Sequence, residues 1–179
     1  MKVTESEGNR IVSLNWQPAF DEYRNIVEQH SKMSFASKPF FEIAKAYPFG
    51  IAKLDAEMVI RDPLTHEDSV LICVGEVPQG AYVHVMNGNK ETLINAAKHA
   101  LKIAESGCEG TEPELMIFVD CISRALFLNG DFNKEIETVA ECGIPMVGAL
   151  TLGEIANNGR DYLEFYNKTS VVGLLPIPN

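Results

Sequence analysis

Leu115-Met-Ile-Phe-Val-Asp-Cys-Ile-Ser-Arg124 decides how this chain is read. Its first half is a continuous apolar run of strand length, the pattern of a central strand covered on both faces. Its second half places a carboxylate, a thiol, a hydroxyl and a guanidinium where that strand stops. A predicted helix from about Phe132 to Cys142 follows, then a second apolar run, Pro145–Leu152. Strand, helix, strand in that order fits a parallel crossover, and a helix laid over an antiparallel sheet reads the same way.

Toward the N-terminus, Leu93, Ala97, Leu101 and Ala104 mark one face of a helix that Asn89 is placed to cap and Gly107 to end. Before it the period changes to two. Phe49–Leu54, Glu57–Arg61, Ser69–Gly75 and Tyr82–Met86 are short runs punctuated by Asp55-Ala56, Asp62-Pro63 and Pro78-Gln-Gly80, the signature of antiparallel strands and turns. Arg10–Asn15 reads as a strand, Pro18 to about His30 as a helix, and Lys38–Ala46 as a second helix ended by Pro48. Toward the C-terminus, Asp161–Tyr166 and Ser170–Leu175 read as a final hairpin, and Pro176-Ile-Pro178 as an extended tail without a role. The expected class is α+β: a single domain with a mixed, largely antiparallel sheet packed with helices. Residues 1–10 are expected to be a loose N-terminal tail, and residues 11–179 the domain.

The chain has 179 residues and a formal charge of −10. That acid excess argues against a sequence-independent nucleic-acid clamp, which needs a basic field, and against docking on anionic membranes. Residues 1–48 are neutral overall, so the excess lies in the later segments, where a solvated, solubility-promoting surface is the plain reading. The four cysteines form no CxxC pair and the histidines are scattered, so no metal and no cofactor is expected. No apolar stretch approaches the ~18 residues of a membrane span and the N-terminus has no apolar signal core, which makes a cytoplasmic protein with reduced thiols the expectation.

Standard catalytic motifs are absent: there is no Walker loop, GxGxxG, GxSxG, HExxH or EF-hand loop. Polar residues instead gather where strands end, the places where rigid strands aim side chains and loops give access. These clusters are Arg61-Asp62-Pro63, Asp120-Cys-Ile-Ser-Arg124, Gly153-Glu154 and Tyr166-Asn-Lys-Thr169.

The same clusters carry a family resemblance. Pro18-Ala-Phe-Asp-Glu-Tyr23, Tyr47-Pro-Phe-Gly50, Val59-Ile-Arg-Asp-Pro63, Gly75-Glu-Val-Pro-Gln-Gly80, Phe118-Val-Asp-Cys-Ile-Ser-Arg124, Gly148-Ala-Leu-Thr-Leu-Gly-Glu-Ile155 and Tyr166-Asn-Lys-Thr169 occur in order through nearly the whole chain. Together they resemble the C-terminal half of the FIST family, a sensory module of signal-transduction proteins. Tyr166 and Lys168 depart from that pattern, which often has His and Gln there. The resemblance implies recognition of a small, amino-acid-like ligand without catalysis. It also implies an N-terminal FIST half or a signalling output domain as partner, either in the same chain or in trans; a homo-oligomer is a further expectation.

The individual residues carry more than one reading. Arg61 and Arg124 suit a bidentate grip on a ligand carboxylate, or a structural ion pair with Asp62, Asp120 or Glu154. Glu154 suits a ligand ammonium, or a strand-end acid that holds an arginine. Asn167 and Thr169 offer hydrogen bonds to a ligand, or order a turn locally. Cys121 is either a small buried residue or the nucleophile of a thiol enzyme acting on a small acyl or amide substrate, with His84 or His99 as the base. The expected ligand site is therefore Arg61, Asp62, Cys121, Arg124, Gly153, Glu154, Asn167 and Thr169. The alternative to sensing or thiol chemistry is an interaction half-module that docks on a separate N-terminal half.

Overall fold

The strand that opens the chain corrects the expectation of a loose N-terminal tail. In the computed structural model, which describes residues 1–54, 57–108, 110, 112–157 and 162–176, β1 (Val3–Glu7) pairs antiparallel with β2 (Arg10–Leu14). Gly8 makes the turn between them at φ +56°, a conformation that costs glycine nothing. Only Val3 of Val-Thr-Glu-Ser-Glu is buried, so the strand is nearly all polar and leaves no apolar trace in the sequence. Backbone pairing holds it, together with the terminal ammonium, which donates to the Val83 carbonyl at 2.7 Å.

β3 (Gln17–Pro18) adds to β2, and α1 (Ala19–Ser31) follows directly. Ala19, Phe20, Tyr23 and Val27 form its buried stripe, and Lys32 ends it in the left-handed region. α2 is one short turn, Phe40–Ala44. The strands β4 (Phe49–Ile51), β5 (Val59–Arg61), β6 (Pro63–Glu67), β7 (Val70–Cys73) and β8 (Val83–Val85) then make two antiparallel sheets. One has the order β1-β2-β7-β6 and the other β5-β4-β8. Asp62-Pro63 reads as a break in sequence, yet β6 starts on Pro63 opposite Cys73; a proline at the first strand position has no ladder donor to lose. The Asp55-Ala56 turn lies outside the described residues.

The second half of the chain begins with α3 (Lys90–Ser106), opened by the expected cap. Asn89 Oδ1 accepts from the Thr92 amide at 2.9 Å, and Thr92 Oγ1 accepts from the Asn89 amide at 3.0 Å. β9 (Leu115–Cys121) passes without a loop into α4 (Ile122–Leu128), a helix the sequence reading did not contain. A 3₁₀ turn leads to α5 (Phe132–Ala140), then β10 (Met146–Thr151), β11 (Glu154–Ala156), β12 (Glu164–Tyr166) and β13 (Ser170–Leu175).

β10 runs parallel to β9, with Met146 opposite Met116, so α5 is part of a parallel crossover. Gly148 sits so close to β9 that a Cβ there would overlap the Phe118 carbonyl; only glycine fits. β13 pairs antiparallel with β9, from Ser170 opposite Asp120 to Leu175 opposite Leu115. This corrects the expected final hairpin, whose first residue, Asp161, lies outside the described residues: Asn167-Lys168 looks like a hairpin turn locally, but β13 finds its ladder partner in β9.

The pairing is mostly antiparallel and the class α+β, as the sequence indicated. Residues cluster into two compact units. The first is Met1–Gly88 with Phe165–Asn167, and the second Asn89–Glu164 with Lys168–Asn179. The first unit's core gathers Val3, Ile11, Leu14, Tyr23, Phe49 and Leu71, and the Tyr23 hydroxyl within it donates to the Tyr47 carbonyl at 2.8 Å. In the second, Ala97 and Leu101 of α3 and Val139 of α5 pack on Met116 and Phe118 of β9. The opposite face of that sheet stays open, with Val147 56% and Ile117 38% exposed. No helix among the described residues is long and apolar enough to cross a membrane.

Candidate functional site

β9 alternates, so Met116, Phe118 and Asp120 point to the side covered by α5, while Ile117 and Val119 point away. Asp120 is thereby carried into the second unit's interior at the last turn of an apolar strand. Arg124, at the start of α4, reaches back to it with Nε 3.0 Å from Asp120 Oδ1. Arg124 Nη2 also binds Glu135 Oε1 of α5 and donates to the Leu93 carbonyl of α3 at 2.8 Å, and Nη1 faces the Lys168 carbonyl at 3.4 Å. Ser170 at the head of β13 donates to Asp120 Oδ1 at 2.8 Å. All three charged groups are at most 3% exposed.

Two carboxylates thus face one guanidinium. Asp120 Oδ2 and Glu135 Oε2 are buried and have no hydrogen-bond partner among the described residues. Burial, opposed by Arg124 and reinforced by the charge of Glu135, pushes the Asp120 carboxyl up to about 6. Glu135 was not among the expected site residues. The signal for it was weak: an acid on the inward stripe of an amphipathic helix, beside Ile136 and Val139.

Glu154, 2% exposed, is held by two hydroxyls: Thr151 Oγ1 donates to Oε1 and Thr169 Oγ1 to Oε2, both at 2.7 Å. Gly153 lies in the bend between β10 and β11. The Cys121 thiol is buried 3.3 Å from the Ser123 hydroxyl. Burial pushes it up, the Ser123 hydroxyl opposes that, and the charge of Glu154 adds to it. Of the expected residues, Glu154 and Thr169 are thus brought together, whereas the Cys121 thiol meets Ser123 and Arg124 binds Asp120 and Glu135.

Arg61, Asp62 and Asn167 belong to the first unit. Arg61 donates from Nε to the Glu76 carbonyl at 2.9 Å, and from Nη1 to the carbonyls of Ile60 at 3.0 Å and Phe165 at 2.6 Å. Its guanidinium also lies over the Phe165 ring, 5.4 Å from the centroid. Gly75 permits that approach, since a Cβ would come within 2.9 Å of Arg61 Nε. Arg61 thus fastens three backbone segments. Asp62 is 1% exposed and stands beside Cys73, whose thiol burial pushes up to about 12 with Asp62 adding to the rise and Arg61 opposing it. Asn167 is fully buried and its amide donates to the Ile60 carbonyl at 3.3 Å.

A cavity of about 220 Å³ sits between α5 and β10 in the second unit. Phe132 and Ile136 of α5 form one wall, and Met146 with residues 148–150 of β10 the other. Phe118 and Asp120 of β9 form its base. Among the described residues Asp120 is the charged group in this lining, and from sequence the apolar ones are assigned only to two strands and a helix. Nothing local marks them, because the cavity exists only once α5 crosses over β9 and β10. No group of three or more His, Cys, Asp or Glu placed to hold a metal occurs among the described residues.

Comparison with known proteins places these elements in context. The family model described as "FIST C domain" matches residues 19–157. The uncharacterized protein MJ1623 of Methanocaldococcus jannaschii is 20% identical over an alignment covering 97% of this chain and 38% of its own length. The chain thus spans well under half of that relative. No solved structure matches.

The buried cluster sets a pH dependence. The folded state holds the Asp120 proton more tightly than the unfolded chain, whose aspartate titrates near 3.9. Asp120 therefore contributes stability that is complete below that value and is lost as the pH rises through about 6. Asp120→Asn is expected to flatten this part of the profile, and to cost stability overall because it leaves the buried Arg124 one partner short. Urea midpoints of the two proteins between pH 4 and pH 8 check it, and parallel profiles would contradict it.

Proposed function

The chain belongs to the FIST C-domain family, sensory-type domains of signal transduction, and on that premise we propose that it is a non-enzymatic, cytoplasmic domain whose α5/β10 cavity binds a small ligand. The observation that carries this reading is the cavity itself, apolar-walled with Asp120 at its base, a residue with one buried carboxylate oxygen that has no hydrogen-bond partner among the described residues. A packed interior seldom leaves either feature. At interior packing density the space suits a ligand of about ten non-hydrogen atoms. The arginines support this reading differently from the sequence expectation: Arg61 and Arg124 hold backbone and carboxylates, and the space for a ligand lies beside Asp120.

A thermal-shift screen of small amines, alcohols, carboxylates and amino acids tests it. A true ligand at a hundredfold excess over its Kd stabilises by roughly 2.7 kcal/mol. Absence of any saturable shift, in a protein carrying its complete N-terminal half, would remove the proposal.

The thiol-enzyme reading is disfavoured by the Cys121 environment, since a buried thiol whose pKa is raised supplies little thiolate. Cys121 is expected to react with iodoacetamide more slowly than the partly exposed Cys108. Faster reaction at Cys121 would restore the enzyme.

One observation favours an additional docking role. The open sheet face presents Ile117, Val147 and Leu175, the last 43% exposed, with no charged residue among the outward positions of β9, β10 and β13. Such a face suits an N-terminal FIST half, an output domain or a second copy. Sedimentation of the chain alone and with a separate N-terminal half is expected to show association that Val147→Glu abolishes. Unassociated monomer in both mixtures would exclude it.

A further inference from the structure

We propose that the α5/β10 cavity selects a small organic cation, an alkyl or aryl ammonium with an apolar body and no carboxylate. This inference rests on the reading of the cavity as a ligand site and specifies its ligand. Charge makes the first argument. Asp120 and Glu135 bring two carboxylates to one guanidinium, so the buried cluster has one negative charge in excess when both acids are ionised. Each acid has an oxygen without a partner among the described residues, and Asp120 shares the cavity-facing side of β9 with Phe118. An ammonium group in the cavity would give Asp120 Oδ2 its missing donor and bring the cluster to neutrality.

The walls make the second argument. Phe118, Phe132, Ile136, Met146 and Leu150 offer no polar side-chain atom, and the two aromatic rings suit an apolar body attached to a cation. The cavity lining also holds no cationic side chain, and Arg124, the nearest guanidinium to Asp120, is already bound to Asp120, Glu135 and the Leu93 carbonyl. A ligand carboxylate would have to lie beside Asp120 with no positive partner, a buried like-charge contact. The site therefore discriminates against carboxylates and against zwitterions.

Protonation gives the third argument. Asp120 is faced by Arg124 from α4, Glu135 from α5 and the Ser170 hydroxyl from β13, while β10 brings no ionisable group. With its carboxyl up at about 6, Asp120 is ionised at neutral pH and neutral in mild acid. A cationic ligand should therefore lose affinity on acidification, and a neutral one should not.

Phenethylamine, phenethyl alcohol, hydrocinnamate and phenylalanine, matched in their aromatic body, test the proposal by titration calorimetry. Phenethylamine is expected to bind at least tenfold more tightly than the alcohol at about pH 8, and to lose about tenfold by about pH 5. Hydrocinnamate and phenylalanine are expected to bind more weakly than either. Asp120→Asn should abolish the amine's advantage over the alcohol; the acid titration of the unaltered protein serves the same purpose if that variant does not fold. Preference for hydrocinnamate or phenylalanine would overturn the cationic ligand and leave the cavity as a ligand site. An amine affinity independent of both pH and Asp120 would overturn the role of the carboxylate. Binding of none of the four at millimolar concentration would overturn the site, and with it the reading on which this inference rests.

Discussion

Arg124 is the interaction on which the second half of the molecule depends. Its guanidinium, 3% exposed, reaches Asp120 on β9, Glu135 on α5, the Leu93 carbonyl of α3 and the Lys168 carbonyl just before β13. A buried arginine is costly unless its donors are satisfied, and removing one partner of such a group typically costs about 3–5 kcal/mol. The helices that cover the sheet are therefore tied to its central strand by one group. Apolar packing alone would fill the space with less regard to register. The directional bonds of a planar fork fix which turn of α5 faces Asp120. That in turn fixes where the cavity opens.

Arg61 plays a comparable part in the first unit with different acceptors. It ties the carbonyls of Ile60, Glu76 and Phe165 together and lies over the Phe165 ring. Both arginines were candidates for a ligand grip, and sequence gave no means of choosing between a ligand's oxygens and the protein's own. The choice depends on which acceptors surround the fork, and every long-range acceptor comes from a distant part of the chain. Excess negative charge then has a local meaning. The chain's −10 is mostly a property of its surface. Asp120 and Glu135 are a part of it that lies buried, against a single guanidinium.

Legibility of the fold followed the range of the interactions. α3 was read correctly to its caps because Asn89 and Gly107 act within a turn of the residues they terminate. The strand–helix–strand order of β9, α5 and β10 was also readable, but only the register of β10 on β9 separates a parallel crossover from a helix over an antiparallel sheet. β1, whose sequence is polar apart from Val3, was missed because its stability comes from ladder pairing rather than burial. α4 was missed because Asp120-Cys-Ile-Ser-Arg124 carries chemically suggestive side chains and no cap of its own. The final hairpin was misplaced because a turn-like Asn167-Lys168 does not reveal that β13 pairs with β9. The site divided in the same way. The positions of Cys121, Arg124, Glu154 and Thr169 near strand ends were visible, whereas nothing in the sequence marked Glu135 or the cavity walls.

What the sequence by itself determined was the class, the order of most elements, the family and the set of polar residues at strand ends. These rest on periodicity, caps and ordered motifs, all of which act over short spans of chain. Only the tertiary structure decided what those polar groups bind. It turned two expected ligand anchors inward, onto backbone carbonyls and buried acids, and left one carboxylate oxygen of Asp120 without a donor beside an apolar space. The physical reason is that a buried charge takes its meaning from the groups packed around it, and those groups come together only when the whole domain is folded.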